Sequence, residues 1–191
     1  YTAGVFGEAY GFATRGDWVK VRGLDVPEYR DSLQALFSNY NNTRPDIYTI
    51  EQVEILKGPA SVLYGQGSPG GIVNVVSKTP HRDMVSEVEV EYGNYDRKQV
   101  AADIGGSLGD DWLYRLVGVW RDTDTQVDHV FEDALVFAPS LTFRPGEETN
   151  ITVLGNFQRT DSDTAAQFIP VTGSILPAPN GRHGPDRSGA R

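Results

Sequence analysis

The chain has 191 residues and carries 17 Lys and Arg against 26 Asp and Glu, a formal net charge of −9. That balance argues against a nucleic-acid partner, since a phosphate backbone is met by a basic stripe. Cysteine is absent, which removes disulfide frameworks, cysteine-based zinc sites and thiol nucleophiles together, and an aromatic share of 10% is too high for a disordered tail.

Residues 1–80 are rich in Gly, Asn and Pro, with short β-branched runs between them. Val53–Leu56 reads as a strand. Gly58-Pro59 then opens a short helix near Pro59–Tyr64, because Pro at the first helical position gives up an N–H that would be unpaired anyway, and Gly65 closes it. A glycine-rich turn leads to a second strand, Ile72–Val76, that stops before Pro80. Val53, Ile55, Leu63, Ile72, Val73 and Val75 are the expected core of this unit. Gly65-Gln66-Gly67-Ser68-Pro69-Gly70 matches the dinucleotide pattern G-x-G-x-x-G. That site needs a strand before the glycines and a long helix after them, so that the pyrophosphate meets a helix N-terminus. Here the β-branched residues Ile72, Val73, Val75 and Val76 come next, and a soluble dinucleotide-binding enzyme would require residues 70–77 to be helical.

Residues 81–160 alternate apolar and polar side chains in runs of about ten, the period of a strand. Val88, Val90 and Tyr92 share one face. Val100, Ala102, Ile104 and Leu108 form the next set, followed by Trp112, Tyr114, Leu116 and Trp120. Leu135, Phe137, Leu141 and Phe143 come fourth, and Ile151, Val153 and Phe157 fifth, which predicts five strands in an antiparallel meander. Residues 161–191 read as loop. Alternation alone leaves open a soluble half-buried sheet. Two features raise a membrane wall to equal standing with that sheet or a lipocalin-like barrel. At about 3.3 Å per residue and a tilt near 40°, Trp112 and Trp120 stand roughly 20 Å apart, the spacing of two interfacial aromatic girdles. The opposite face carries Glu87, Glu89, Glu91, Arg115 and Arg121, which a water-filled lumen tolerates.

Other constellations carry little. Asp122–Asp128 lacks the glycine of an EF-hand loop at its sixth position. His81, His129 and His183 have no metal-ligand spacing, and no G-x-S-x-G elbow offers a nucleophile.

Val53-Glu54-Ile55-Leu56-Lys57-Gly58-Pro59-Ala60-Ser61-Val62-Leu63-Tyr64-Gly65, followed by Gly70-Gly71-Ile72-Val73-Asn74, closely resembles the signature of the plug domain of TonB-dependent outer-membrane receptors, specifically the ferric-siderophore group. The similarity extends upstream through Tyr1–Val5 and Val21-Arg22-Gly23, and downstream through Ser77–Pro80. Leu176–Gly181 resembles an extracellular loop of ferrichrome-type receptors. The resemblance implies an α+β plug over residues 1–80, a small mixed sheet with short helices, whose N-terminal TonB-contacting segment is missing. It implies that residues 81–191 are about the first five strands and loops of a transmembrane β-barrel, incomplete here because such transporters close with 22 strands.

The implied function is energy-coupled uptake of a ferric siderophore across the bacterial outer membrane, and not an enzymatic one. The implied partners are the siderophore, the TonB complex and outer-membrane lipid. No cofactor and no protein metal ligand is expected, because the siderophore carries the iron. Cobalamin, haem or an oligosaccharide is the alternative cargo. By the same resemblance Arg22 and Lys57 stand where two basic plug residues pair with barrel glutamates. Tyr10 and Tyr40 fall at the plug apex and Phe168 in an extracellular loop, all three facing cargo. The family has a basic residue where Tyr10 stands. An aromatic, uncharged surface suits a neutral or weakly cationic ferric hydroxamate, whereas a trianionic catecholate would want several Arg or Lys groups, and only Arg44 lies near in sequence.

Overall fold

The computed structural model describes residues 2–7, 13–14, 16–35, 44–58, 68–163 and 171–177. Strands β1 (Val5–Phe6), β2 (Lys20–Val21) and β3 (Leu24–Asp25) form a small antiparallel sheet. Strands β4 (Glu28–Arg30), β5 (Leu33–Gln34), β6 (Ile50–Lys57) and β7 (Gly71–Ser77) form a second sheet in the order β5-β4-β7-β6, with β4 and β7 parallel. Two hairpins turn on two residues with positive φ, Arg22-Gly23 (53° and 79°) and Asp31-Ser32 (50° and 68°), the geometry whose twist matches the flanking strands. The Asp31 carboxylate accepts bonds from the Ser77 amide (2.7 Å) and hydroxyl (2.8 Å), which ties the second turn to the end of β7.

Val21, Val26 and Val73 are buried together and join the two small sheets, while Tyr29 and Ile72 form a second buried pair. The expected core therefore holds for the central strand β7. It fails for Val53, which is 53% exposed, because β6 borders its sheet and turns one face outward. Ile55 and Val75 are half-buried, and Leu63 lies outside the described residues. The short helices expected in this unit are not found among its described residues. One 3-10 turn, Ile47–Thr49, is present, with the Asp46 carboxylate capping the Tyr48 amide at 3.0 Å. The β-branched residues of 50–57 and 71–77 lose side-chain freedom in a helix and pair as strands instead. The helix expected near Pro59–Tyr64 lies outside the described residues.

The glycines of the apparent dinucleotide motif have a packing role. A Cβ on Gly70 would lie 2.7 Å from the Val21 carbonyl oxygen. One on Gly71, whose φ is +127°, would lie 1.9 Å from the carbonyl oxygen of Leu56. The chain then runs straight into strand β7, so the dinucleotide reading has no helix to stand on.

The remainder of the described chain builds a large antiparallel sheet of β8 (Glu87–Tyr92), β9 (Lys98–Leu108), β10 (Trp112–Asp122), β11 (Glu132–Phe143), β12 (Ile151–Leu154) and β13 (Phe157–Ser162). Its order is β12-β11-β10-β9-β8, with β13 also on β11. The last two strands are one run in a continuous register, since Ser140 faces Leu154 and Phe137 faces Phe157. The run is interrupted opposite Pro139, whose carbonyl accepts the Gly155 amide (2.8 Å) but which has no N–H to return. The expected five runs are thus observed, and β13 continues through Ser162 into the stretch expected as loop. Within that stretch lies one α-helical turn, α1 (Val171–Ser174).

The two faces of the sheet divide as the alternation predicts. Val88, Val90, Val100, Ile104, Trp112, Leu116, Trp120, Phe137, Leu141, Val153 and Phe157 are exposed on one face. The rings of Trp112 and its register partner Phe143 stack at 4.5 Å with a 34° tilt. Ala101, Asp103, Leu113, Arg115, Val117, Val119, Arg121, Ala134 and Val136 are buried on the other face, where Tyr48 packs on Ala101, Val119 and Val136. Among the described residues no helix is long and apolar enough to cross a membrane, a statement that does not bear on strands.

Candidate functional site

The chemistry concentrates where the small sheets meet the large one. Alternation along β10 turns Arg115 and Arg121 to the inner face, and burial there obliges each to find a partner. Arg115 makes two bonds to Asp103 on the neighbouring strand β9, Nε to Oδ1 and Nη2 to Oδ2, both 2.8 Å. With side-chain exposures of 7% and 4% this is a buried, bidentate pair. The remaining nitrogen, Nη1, reaches out of the large sheet. It donates to Glu51 Oε2 on β6 (3.0 Å) and to the Thr79 carbonyl (2.9 Å), just beyond the end of β7. Lys78 donates to the same Asp103 at 2.7 Å and holds its ammonium 4.3 Å from the centre of the Tyr48 ring.

Tyr48 packs against Ala101, Val119 and Val136 of the large sheet, and its hydroxyl donates to Glu87 at 3.2 Å. Burial, and then the Glu87 carboxylate beside it, push the phenol up to about 12, so it remains a donor throughout the physiological range. Further along β10, Arg121 donates to Gln99 (2.7 Å) and pairs with Asp46 (2.9 Å), the residue that also caps the 3-10 turn. Arg44 closes the row. It pairs with Asp17 (2.8 Å) and with Glu132 on β11 (3.3 Å), and its carbonyl accepts from Gln158 on β13 (2.7 Å). Segment 44–51 thus lies across the inner face of the large sheet as a row of alternating contacts.

Of the sequence-predicted site residues, Arg22 and Lys57 are described and both are exposed. Arg22 occupies the first position of the β2–β3 turn, and its amide donates to the Gly4 carbonyl at 2.7 Å. Lys57 donates to the adjacent Ala3 carbonyl at 2.6 Å. The structure therefore brings the two together on the turn preceding β1. Tyr10, Tyr40 and Phe168 lie outside the described residues. The residues that sequence reasoning missed are Glu51, Asp46, Lys78 and Asp103. The inward charges of β10 were the available signal, but alternation gives a face and not a partner. Among the described residues no group of His, Asp and Glu is placed to hold a metal ion.

Residues 1–72 match the family profile of the TonB-dependent receptor plug domain. The ferrioxamine receptor of Yersinia enterocolitica is 36% identical over 181 residues, which is 92% of this chain and 26% of the relative. The ferrichrome outer membrane transporter/phage receptor of Escherichia coli K12 is 35% identical over 97% of this chain and 26% of the relative. The pyoverdine outer membrane receptor FpvA from Pseudomonas aeruginosa PAO1, solved bound to pyoverdine, superimposes with a TM-score of 0.72 at 26% identity, covering 83% of this chain and 24% of that one. The chain spans about a quarter of the length of the relatives it matches. Residues 1–72, which carry the small sheets as far as the start of β7, match the plug domain, and the chain belongs to the TonB-dependent outer-membrane receptors.

Proposed function

We propose that this chain is the plug and part of the wall of a receptor that takes up a ferric siderophore of the hydroxamate class, driven through the TonB complex. The observation that carries the reading is that similarity to a ferrioxamine receptor and to a ferrichrome transporter runs through plug and wall alike, over more than nine-tenths of the chain. Both named ligands are hydroxamate complexes of iron. In this reading the siderophore brings its iron with it and the protein keeps no metal of its own. The outward apolar face of β8–β13 meets outer-membrane lipid.

Cargo binds at Tyr10, Tyr40 and Phe168, whose rings and two hydroxyls offer stacking and hydrogen bonding without fixed charge. Arg22 and Lys57 pair with carboxylates of the wall outside this chain. Their exposure, and the single carbonyl that Lys57 contacts here, leave both heads available for it.

The test is a titration of ferric hydroxamate and ferric catecholate against the complete receptor and its Tyr40→Ala variant. Loss of one aromatic contact is expected to weaken hydroxamate binding by about 1–2 kcal/mol, or roughly 5- to 30-fold. Unchanged hydroxamate affinity in the variant, or tighter binding of catecholate than of hydroxamate by the wild type, overturns the assignment. Uptake of labelled ferric hydroxamate in cells with and without TonB tests the coupling.

A further inference from the structure

The ion pairs that join plug to wall within the described residues are four: Arg44–Glu132, Asp46–Arg121, Glu51–Arg115 and Lys78–Asp103. Three come from the eight-residue segment 44–51, and the fourth comes from Lys78, whose own amide donates to the Thr49 carbonyl at 3.0 Å. The wall partners sit on β9, β10 and β11. Tyr48 adds Glu87 on β8, and the Arg44 carbonyl adds Gln158 on β13. One short segment is therefore fastened to strands at both sides of the described wall.

That fastening also has a direction within the plug. In the β6–β7 hairpin Ile50 faces Ser77 and Lys57 faces Gly71. The first end is pinned, because Glu51 and the Thr79 carbonyl share the Arg115 guanidinium. The second end bonds to plug backbone, Lys57 to the Ala3 carbonyl and the Gly58 amide to the Gly70 carbonyl. Beside the strap the fit loosens toward β12, where a cavity of about 270 Å³ separates Arg30 and Asp31 of the plug from Pro139, Leu154 and Asn156 of the wall.

We infer that segment Arg44–Glu51 is a fixed strap, which stays seated on β8–β11 while the rest of the plug rearranges to pass cargo, so that the passage opens on the side of the plug away from these strands. The inference rests on the uptake function proposed above and says where in the plug movement occurs. Removing the strap would expose Asp46 and the Arg115–Asp103 pair together, buried charges whose partners are arranged in one geometry. Among the described residues, the Lys57 end of the hairpin makes no ion pair with these strands and bonds only to plug backbone.

The experiment uses the complete receptor in cells. In a Thr49→Cys/Val117→Cys variant, two positions that face one cavity across the seam, a disulfide formed by mild oxidation of the two thiols bridges strap to wall. Ferrichrome binding and uptake by the bridged receptor are expected to stay within about twofold of the unbridged one. A tenfold or greater loss of uptake with binding unchanged overturns the inference, because it shows that the strap must leave the wall. Single Thr49→Cys, buried at 2% exposure, gives a second measure by labelling with a monofunctional maleimide. Labelling is expected to be equally low in energised and de-energised cells, and a fivefold rise on energisation overturns the inference. A wild type that neither binds nor takes up ferrichrome defeats the function reading instead, and the labelling still decides whether the strap moves.

Discussion

Replacing Arg115 with methionine is the most direct perturbation of the seam. The substitution keeps an unbranched apolar stem and deletes four bonds at once, two to Asp103, one to Glu51 and one to the Thr79 carbonyl. The three partners are affected unequally. Glu51 is about half exposed and can turn to water, so its loss costs little. Asp103 is 4% exposed and cannot, although Lys78 remains bonded to it at 2.7 Å. Breaking a buried pair by removing one partner typically costs about 3–5 kcal/mol, and the surviving Lys78 contact places Arg115→Met at about 3 kcal/mol. Urea unfolding of the complete receptor in lipid vesicles, followed by tryptophan fluorescence, would measure it. The companion variant Asp103→Asn and the double variant complete a cycle, and residues in direct contact are expected to show a coupling of about 1.5–3 kcal/mol. A cost below about 1 kcal/mol, or additivity within about 0.3 kcal/mol, would show that the guanidinium does not carry the seam.

Three further outcomes are expected. Leu116→Arg puts a charge at mid-strand on the exposed apolar face, which the proposed function turns to lipid, and is expected to cost roughly 2–4 kcal/mol of stability in bilayers; unchanged stability would refute that assignment of faces. Gly71→Ala sets a Cβ 1.9 Å from the Leu56 carbonyl at a φ of +127°, and is expected to destabilise the plug by more than about 3 kcal/mol, read as a lowered urea midpoint. Gly146→Ala, where a Cβ meets nothing within 4 Å, is its control. The Tyr48 phenol, pushed up to about 12, contributes stability that is complete below the ordinary tyrosine value near 10 and is lost as pH rises through about 12. A spectrophotometric difference titration between wild type and Tyr48→Phe should show the missing phenol titrating near 12, and a difference centred near 10 would refute the burial and the Glu87 contact.

What the sequence made legible was whatever repeats locally. Each wall strand declares its faces by period two, and Trp112, Leu116 and Trp120 fall on the exposed face that their spacing predicts. The strand Ile72–Val76 was legible for the same reason, as a β-branched run bounded by glycine and proline. The exposure of Val53 was not, because an edge and a centre position read alike until the order β5-β4-β7-β6 is known. The site was harder still. Glu51 and Arg115 are 64 residues apart, and Asp46 and Arg121 further, so no local pattern couples them. Arg121 and Arg115 could be placed on the inner face, but their partners depend on how the plug is seated. Arg22 shows the reverse case. The resemblance marks it as one of a pair of locking cations, whereas the local structure adds a role that its neighbour Gly23 hints at, the left-handed first position of a two-residue turn.

The chemistry of the seam is that of an interface held by geometry more than by area. The buried apolar clusters lie within the plug, at Val21, Val26 and Val73 and at Tyr29 and Ile72, and across the wall strands at Ala101, Val119 and Val136. Tyr48 forms an apolar bridge between plug and wall. Around it, among the described residues, the contact is largely ionic. A large apolar interface would gain free energy in proportion to its area and would resist separation all the way to contact with water. A buried ion pair behaves differently, because the attraction roughly offsets the desolvation of its two charges while geometry is satisfied. Its net depth is therefore small, yet any displacement that unpairs one charge without wetting it is penalised by several kcal/mol. Such a seam fixes the plug in one orientation without binding it deeply, and yields where water can follow the separating charges. Of the four pairs between plug and wall, Asp46–Arg121, 2% and 10% exposed, gives water the least access. At Arg44–Glu132 and Glu51–Arg115 one partner of each pair is 36% and 48% exposed, so the buried middle of the strap, at Asp46, holds its geometry most strictly.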